Sequence, residues 1–388
     1  MRPAVVGRTA AVVVAAIGLI AAACAPRREL GSPLDGLTRK ERERFAVGRE
    51  EFERVFTPET GLGPLFNADS CAECHENPVT LGTGDEVELH VAAFDQAAAF
   101  CDPLADHGGP VIQQHATPAL KALGIDSEPV PAAATARAGR STPDLFGFGL
   151  LDAVPDATIE ALADPDDRDG DGISGRPNHF FDGRVGRFGR KALVPTLREF
   201  NAGAFVIEQG ITDPEAPTEE SIGGSPIPAG VDPVSEPEIT SDALLLADDF
   251  VRFSAPPPPR PLGAAEKKGR TLFVQLACQR CHVPALKTGD SPVKALGHRK
   301  VHAYTDLLLH DMGPDLADIC LGEATPSEFR TEPLMGVRLA TSFLHDGRAK
   351  TLEEAIRLHG GEASRSRRRF EAMSTEQREA LLAFLRSL

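Results

Sequence analysis

Tryptophan is absent from this 388-residue chain and tyrosine occurs once, at Tyr304, so its aromatic residues are almost all phenylalanine. Easily oxidised side chains that could serve as stepping stones for electrons are therefore nearly excluded. Positive charge is also in deficit. Lys and Arg number 41 against 57 Asp and Glu, a formal net charge of −16, and no basic stripe offsets it; that balance excludes nucleic acid as a partner. One basic run, Arg365 with Arg367, Arg368 and Arg369, reads as a solvated face. The glycine-rich stretch 183–189 lacks the Lys-Ser/Thr of a phosphate-binding loop, which excludes nucleotide on that motif. Long apolar runs are missing too, apart from Ala10 to Ala23. That run follows Arg2 and Arg8 and is too short and wrongly flanked for an ordinary membrane span. It reads as a secretory signal peptide over residues 1–23.

What is present is a motif that occurs twice: Cys71-Ala72-Glu73-Cys74-His75 and Cys278-Gln279-Arg280-Cys281-His282. Cys-x-x-Cys-His is the attachment spacing of c-type haem. Two thiols three residues apart can form thioethers to the two vinyl groups of one porphyrin. The adjacent histidine then offers an imidazole nitrogen to the iron. Zinc is the plainer rival for Cys-x-x-Cys pairs, but two copies that both end in His favour two covalently bound c-type haems. Cys71, Cys74, Cys278 and Cys281 would hold them, with His75 and His282 on the irons. The basic run could then reach haem propionates or an acidic partner instead of water.

The remaining cysteines fit an extracytoplasmic chain. Ile20-Ala21-Ala22-Ala23-Cys24 resembles a bacterial lipobox with Ala21 where Leu is usual. Cleavage there would leave a lipid anchor on Cys24 in the outer membrane, facing the periplasm; plain signal cleavage is the alternative. Cys101 and Cys320 are left over, and in an oxidising compartment they most economically form a disulfide joining the two halves.

The expected fold is mainly α: two cytochrome c-like haem domains with long irregular loops and insertions. A Pro-, Glu- and Gly-rich stretch divides them. The N-terminal domain then covers 35–212, the connection 213–241 and the C-terminal domain 242–388. Each half repeats one order of motifs. The first has a haem motif, Arg140-Ser141-Thr142-Pro143-Asp144-Leu145-Phe146-Gly147, then Phe181-Asp182-Gly183-Arg184. The second has a haem motif, Arg330-Thr331-Glu332-Pro333-Leu334-Met335-Gly336, then His345-Asp346-Gly347-Arg348. The order implies a duplication, with the larger insertions in the first copy near 80–135 and 155–178.

These segments resemble the bacterial dihaem cytochrome c peroxidase and MauG superfamily. The strongest resemblance within it is to the dihaem oxidoreductases sometimes labelled thiol oxidoreductases. Gly61 to Asn67, Phe148 to Asp152, Leu307 to Pro314 and Phe343 to Arg348 carry the likeness. It implies two mainly helical haem domains facing a shared interface. It also implies hydrogen peroxide as substrate and a small periplasmic electron donor of the cytochrome c or cupredoxin type. In the resembling peroxidases the residue at the offset of His359 from His-Asp-Gly is the distal ligand, commonly Met, or Tyr in MauG.

The residues around His359 support that reading independently. Thr351 with Glu354 makes a capping box, and Gly360-Gly361 ends the helix. Leu352, Ile356 and His359 then share one face. A core histidine is the plainer reading of that pattern; a bis-His haem on the C-terminal domain is the functional one. Met312 is an alternative ligand and His310 a weaker one.

At the N-terminal haem, His90 stands at about the right distance after His75 for a displaceable ligand, or is a surface residue. The resemblance also implies an acid–base group that moves a proton during O–O cleavage. Glu208 in Ala204 to Gly210 is the candidate, offset by several residues from its place in the peroxidases. An exposed glutamate is the alternative. Where many relatives carry a Trp between the haems, this chain has Phe181.

A second metal is suggested by Asp167, Asp169 and Asp171, followed by Gly172, which resembles the start of an EF-hand-type calcium loop. The closing bidentate Glu is missing, and a solvated acidic turn is the alternative. Together these features describe a dihaem oxidoreductase with peroxidase chemistry. A dihaem electron carrier with no substrate site is the rival, and a redox partner in iron handling a third reading.

Overall fold

The computed structural model describes residues 28–219 and 221–388, so the signal segment and Cys24 lie outside it. Among the described residues no helix is long and apolar enough to cross a membrane. Seven helices carry the argument: α1 (Arg39–Phe52), α2 (Leu197–Gln209), α3 (Ser241–Phe253), α4 (Ala264–Gln275), α5 (Leu352–Leu358), α6 (Ser364–Glu371) and α7 (Thr375–Leu385).

Sequence dictates how α1 starts and what it buries. The Thr38 hydroxyl accepts from the Glu41 N–H, and the Glu41 carboxylate accepts from the Thr38 N–H. Phe45, Gly48 and Phe52, spaced i, i+3 and i+7, form its buried stripe. That stripe crosses α3 so closely that a Cβ on Gly48 would stand 2.1 Å from the Leu246 carbonyl oxygen. The same crossing recurs between α4 and α7, where a Cβ on Gly269 would stand 1.9 Å from the Ala380 carbonyl oxygen. Four residues beyond each glycine is a phenylalanine. Phe52 meets Phe250 edge-on at 5.3 Å, and Phe273 meets Phe384 edge-on at 5.5 Å. The two units share this crossing geometry.

This repeat corrects the domain boundary read from sequence. Helix α3, assigned there to the C-terminal domain starting at 242, packs on α1 and α2 and closes the first unit. Its buried face, Leu244, Ala247, Phe250 and Val251, matches the first unit's core. The break between the units comes after it, at Pro256 to Pro259, where the missing N–H groups stop a helix.

The mainly α expectation is corrected as well, because 32% of the residues are helical and 14% are in strands. The first insertion folds as a four-stranded antiparallel sheet. Strand β1 (Val87–Asp95) pairs antiparallel with each of the other three, β2 (Phe100–Asp102), β3 (Val111–Ile112) and β4 (Ala136–Ser141). Alternation along β1 separates its side chains. Leu89, Val91 and Ala93 meet Leu104 and Ile112 on one face. Ala92 and Phe94 meet Ile319 and Cys320 of the second half on the other. Glu88 and His90 belong to that second face. Two further strands, β5 (Leu309–Asp311) and β6 (Glu328–Arg330), form a separate antiparallel pair.

A disulfide between Cys101 and Cys320 ties the sheet to the second half. Beside it lies a buried ionic cluster. Arg140 donates twice to one Asp318 oxygen, at 2.9 and 2.7 Å, while the Lys191 ammonium is 2.8 Å from the other. Lys191 also donates to the carbonyls of Thr325, Pro326 and Glu328. Every charge has a partner, the condition under which buried ions are tolerated.

Two outcomes follow from this packing. Gly48→Val and Gly269→Val force backbone apart at the crossings, and each is expected to lower stability by about 1–3 kcal/mol in urea unfolding. Equal stability to wild type would show that the helices separate at no cost. Burial, helped by Arg140 and opposed by Asp318, pushes the Lys191 ammonium down from 10.5 to about 8. Below pH 8 the folded chain bears the full cost of that charge. Between pH 8 and 10.5 the unfolded chain binds more protons, so this residue makes stability rise with pH. The stability of wild type relative to Lys191→Met is expected to increase across that window, and a flat difference would count against it.

Candidate functional site

The first Cys-x-x-Cys-His forms a single helical turn, Cys71–Cys74, whose start is fixed by Ser70 accepting from the Glu73 N–H. His75 closes the turn. Its Nδ1 lies 3.2 Å from the Gly82 carbonyl oxygen. A carbonyl can only accept, so Nδ1 carries the proton and Nε2 keeps its lone pair for a metal. The second motif does the same: His282 Nδ1 donates to the Tyr304 carbonyl at 3.0 Å. Phe52 and Phe273, placed by the two helix crossings, stand 6.1 and 6.5 Å from the rings of His75 and His282.

The thiols are tuned against redox exchange. Burial pushes Cys71 and Cys278 up to about 12, and Cys74 rises further with Glu208 and Glu88 adding to the effect of burial. Redox-reactive cysteines need depressed values instead. All four motif thiols are unpaired, although Cys101 and Cys320 are joined. Cys281 does share a metal-sized cluster with Asp306 and His310. Both nitrogens of that histidine are already committed, however, to Asp306 at 2.9 Å and Glu362 at 2.8 Å. Burial alone would lower His310, yet these neighbours with Cys281 hold its imidazolium well above its ordinary range. His310 is thus held by two carboxylates in this structure. Two thiols with an adjacent imidazole whose Nε2 is free form a donor set that fits a haem with an axial histidine.

Around the second motif lies a largely apolar cleft of about 280 Å³. Cys278, Cys281 and His282 line it, and so do His359 and Met312. The expected capping box at Thr351 and Glu354 is present, but α5 ends at Leu358 and His359 is its cap residue. His359 Nδ1 donates back to the Ala355 carbonyl at 2.7 Å, which again frees Nε2. Burial, followed by the nearby His359, holds His282 down at about 4, so the ring stays neutral. Arg367 of the basic run also lines this cleft, so the run is not wholly a solvated face.

Glu208 sits in the last turn of α2. Its Oε2 accepts from Asn67 Nδ2 at 3.1 Å, and its carboxyl faces that of Glu88. His90 is buried, not on the surface, and its Nε2 lies 3.0 Å from Glu88 Oε2 instead of standing free for an iron. Phe181 corrects another expectation. It is 77% exposed and leans only on Phe180, so it is no buried bridge between the two motifs. Sequence reading missed Glu88, Asp306 and Glu362. Only the alternation of β1, which puts Glu88 beside His90, could have flagged the first.

The acidic loop closes as its spacing suggests. Asp167 accepts from the Gly172 N–H, and oxygens of Asp167, Asp169 and Asp171 lie within 4.8 Å of one another. A cation already faces it. Arg280, from inside the second Cys-x-x-Cys-His, reaches Asp169 at 3.2 Å and Asp171 at 3.1 Å. Ser174, just after the loop, is held through its N–H and hydroxyl by Glu362.

Comparison with known proteins places these residues in context. Among solved structures the chain is similar to hydrazine synthase of Kuenenia stuttgartiensis, at 13% identity and TM-score 0.43, covering 98% of this chain and 100% of that one. It is similar to a MauG-like protein associated with microbial copper homeostasis, at 16% identity and TM-score 0.40, covering 94% and 91%. A variant of the diheme peroxidase BthA from Burkholderia thailandensis matches at 18% identity and TM-score 0.41, covering 89% and 85%. A search of curated proteins gives no match. The family model described as "Di-haem oxidoreductase, putative peroxidase" matches residues 132–388. With two thirds of its length under that model, the chain belongs to the di-haem oxidoreductase family.

Proposed function

We propose that this chain is an extracytoplasmic dihaem c-type oxidoreductase that reduces hydrogen peroxide. The observation that carries the reading is the asymmetry of its two centres. The second offers two neutral imidazoles, His282 and His359, to one cleft, as an electron-transfer iron with no exchangeable position requires. The first has no such second imidazole in place. It has instead a partly buried carboxyl, Glu208, held by Asn67.

A bound haem supplies an iron that cycles between oxidation states, and at a centre with an exchangeable position that iron can bind peroxide. The chain's own residues do the rest. Cys71 and Cys74, with Cys278 and Cys281, anchor and orient the two rings. Gly82 and Tyr304 fix which nitrogen each proximal imidazole presents. Reducing one peroxide to two waters takes two electrons and two protons. Burial, reinforced by Glu88, raises Glu208 well above the usual carboxylate range. The shift favours the protonated form, the one able to give a proton to a departing oxygen.

The wider setting is part of the same proposal: a periplasmic chain on a lipid anchor at Cys24, fed by a small cytochrome c or cupredoxin. Calcium at Asp167, Asp169 and Asp171 belongs to it as well. Arg280 competes for those carboxylates, so Arg280→Gln is expected to bind calcium more tightly than wild type in titration calorimetry. Heat-silent titrations of both proteins would remove calcium from the reading.

EPR of the purified protein, fully oxidised and half-reduced, with and without cyanide, tests the function. A high-spin ferric signal that cyanide converts to low spin is expected from one centre, beside a low-spin signal from the other. Two low-spin signals indifferent to cyanide and to half-reduction would leave an electron carrier.

A further inference from the structure

Glu208 does not act from an isolated position. Strand alternation puts Glu88 and His90 on one face of β1, two residues apart, and His90 Nε2 reaches Glu88 Oε2 at 3.0 Å. From the other side α2 brings the Glu208 carboxyl against that of Glu88. Asn67 cannot turn its amide around to relieve the pair. Its carbonyl oxygen accepts from the Gln114 N–H at 2.9 Å, which commits the NH₂ to Glu208. Two carboxyls in hydrogen-bonding reach share one proton at rest, because one must supply the hydrogen and the repulsion of like charges disfavours losing it.

We propose that Glu88 and Glu208 hold one proton between them at the first centre, with Glu88 as the positioning residue that keeps it on Glu208 and returns it after use. This rests on the peroxide reading for its chemistry, although the pairing itself does not. The charged surroundings assign the roles. Despite burial, the hydrogen bond from His90 and the charge of Arg140 hold Glu88 below the ordinary value, as a carboxylate. Glu208 sees Glu88 and stays neutral. Burial and Arg140 keep His90 neutral, so its Nε2–H donates to Glu88. When Glu208 gives its proton to the leaving oxygen it becomes a carboxylate and that oxygen leaves as water; the electron pair that breaking the O–O bond requires would be supplied by the haem, replenished by its electron donor. Reprotonation comes from water through Glu88, whose side chain is 25% exposed.

The test is infrared spectroscopy of the haem-loaded protein across pH, in wild type and in Glu88→Gln, Glu88→Asp and Glu208→Gln. Wild type is expected to show the carbonyl stretch of a protonated carboxylic acid at neutral pH, and Glu208→Gln to lack it. In Glu88→Gln the repelling charge is gone, so the band should titrate away about one pH unit or more lower. Glu88→Asp, which keeps the charge, should hold the wild-type midpoint. The pH dependence of peroxide turnover should move with the band while KM stays put. An unmoved band in Glu88→Gln, or an equal shift in Glu88→Asp, would overturn the proposal. A shifted band in a protein that never turns over peroxide would keep the pair and discard the peroxide reading.

Discussion

Everything at the two centres depends on how closely two pairs of helices approach. At Gly48 and at Gly269 the approach is backbone to backbone, closer than any side chain allows. That contact sets the height of Phe52 and Phe273 above the motif histidines. It also sets the two edge-on aromatic contacts that lock each crossing. The chemistry of the motifs is local, but the frame that aims them comes from helices far away in sequence. The helix that completes the first frame begins 170 residues after its first thiol, at Ser241.

On this shared frame the two centres have diverged by what each insertion delivers. The second keeps a compact surround, in which α5 ends where His359 can turn into the cleft. The first received a sheet, and the sheet brought Glu88 and His90 to α2. The same face of that sheet receives Ile319 and Cys320, so the acidic site and the joint between halves lie along one face of one insertion. Lys191, Arg140 and Asp318 then fill the joint with paired charge.

Much of this was legible in the sequence. Cys-x-x-Cys-His is a covalent motif and needs no context. The Thr351–Glu354 box and the turn at Gly172 are likewise local, and both occur as read. What failed depended on partners distant in sequence. An amphipathic helix such as α3 states that it has a buried face, not whose core receives it. Insertion 80–135 has short alternating runs broken by Pro and Gly, too weak to declare a sheet. His310 looked like a spare ligand because neither Asp306 nor Glu362 is near enough in motif terms to reveal that both ring nitrogens are taken. Phe181 was placed by analogy of position, and a position in a motif does not fix which way a loop faces.

The bond between Cys101 and Cys320 has a consequence for how the chain matures. Six cysteines lie among the described residues, which allows fifteen ways to pair them. The one bridge formed spans 219 residues, while Cys71 with Cys74 and Cys278 with Cys281 could each meet across two. Short loops close at far less entropic cost than long ones. An environment oxidising enough to make the long bridge therefore threatens the short ones first. On the proposed haem reading, the four motif thiols would have to be guarded, or already bound to their cofactor, before the last pair is joined: ligation first, oxidation after.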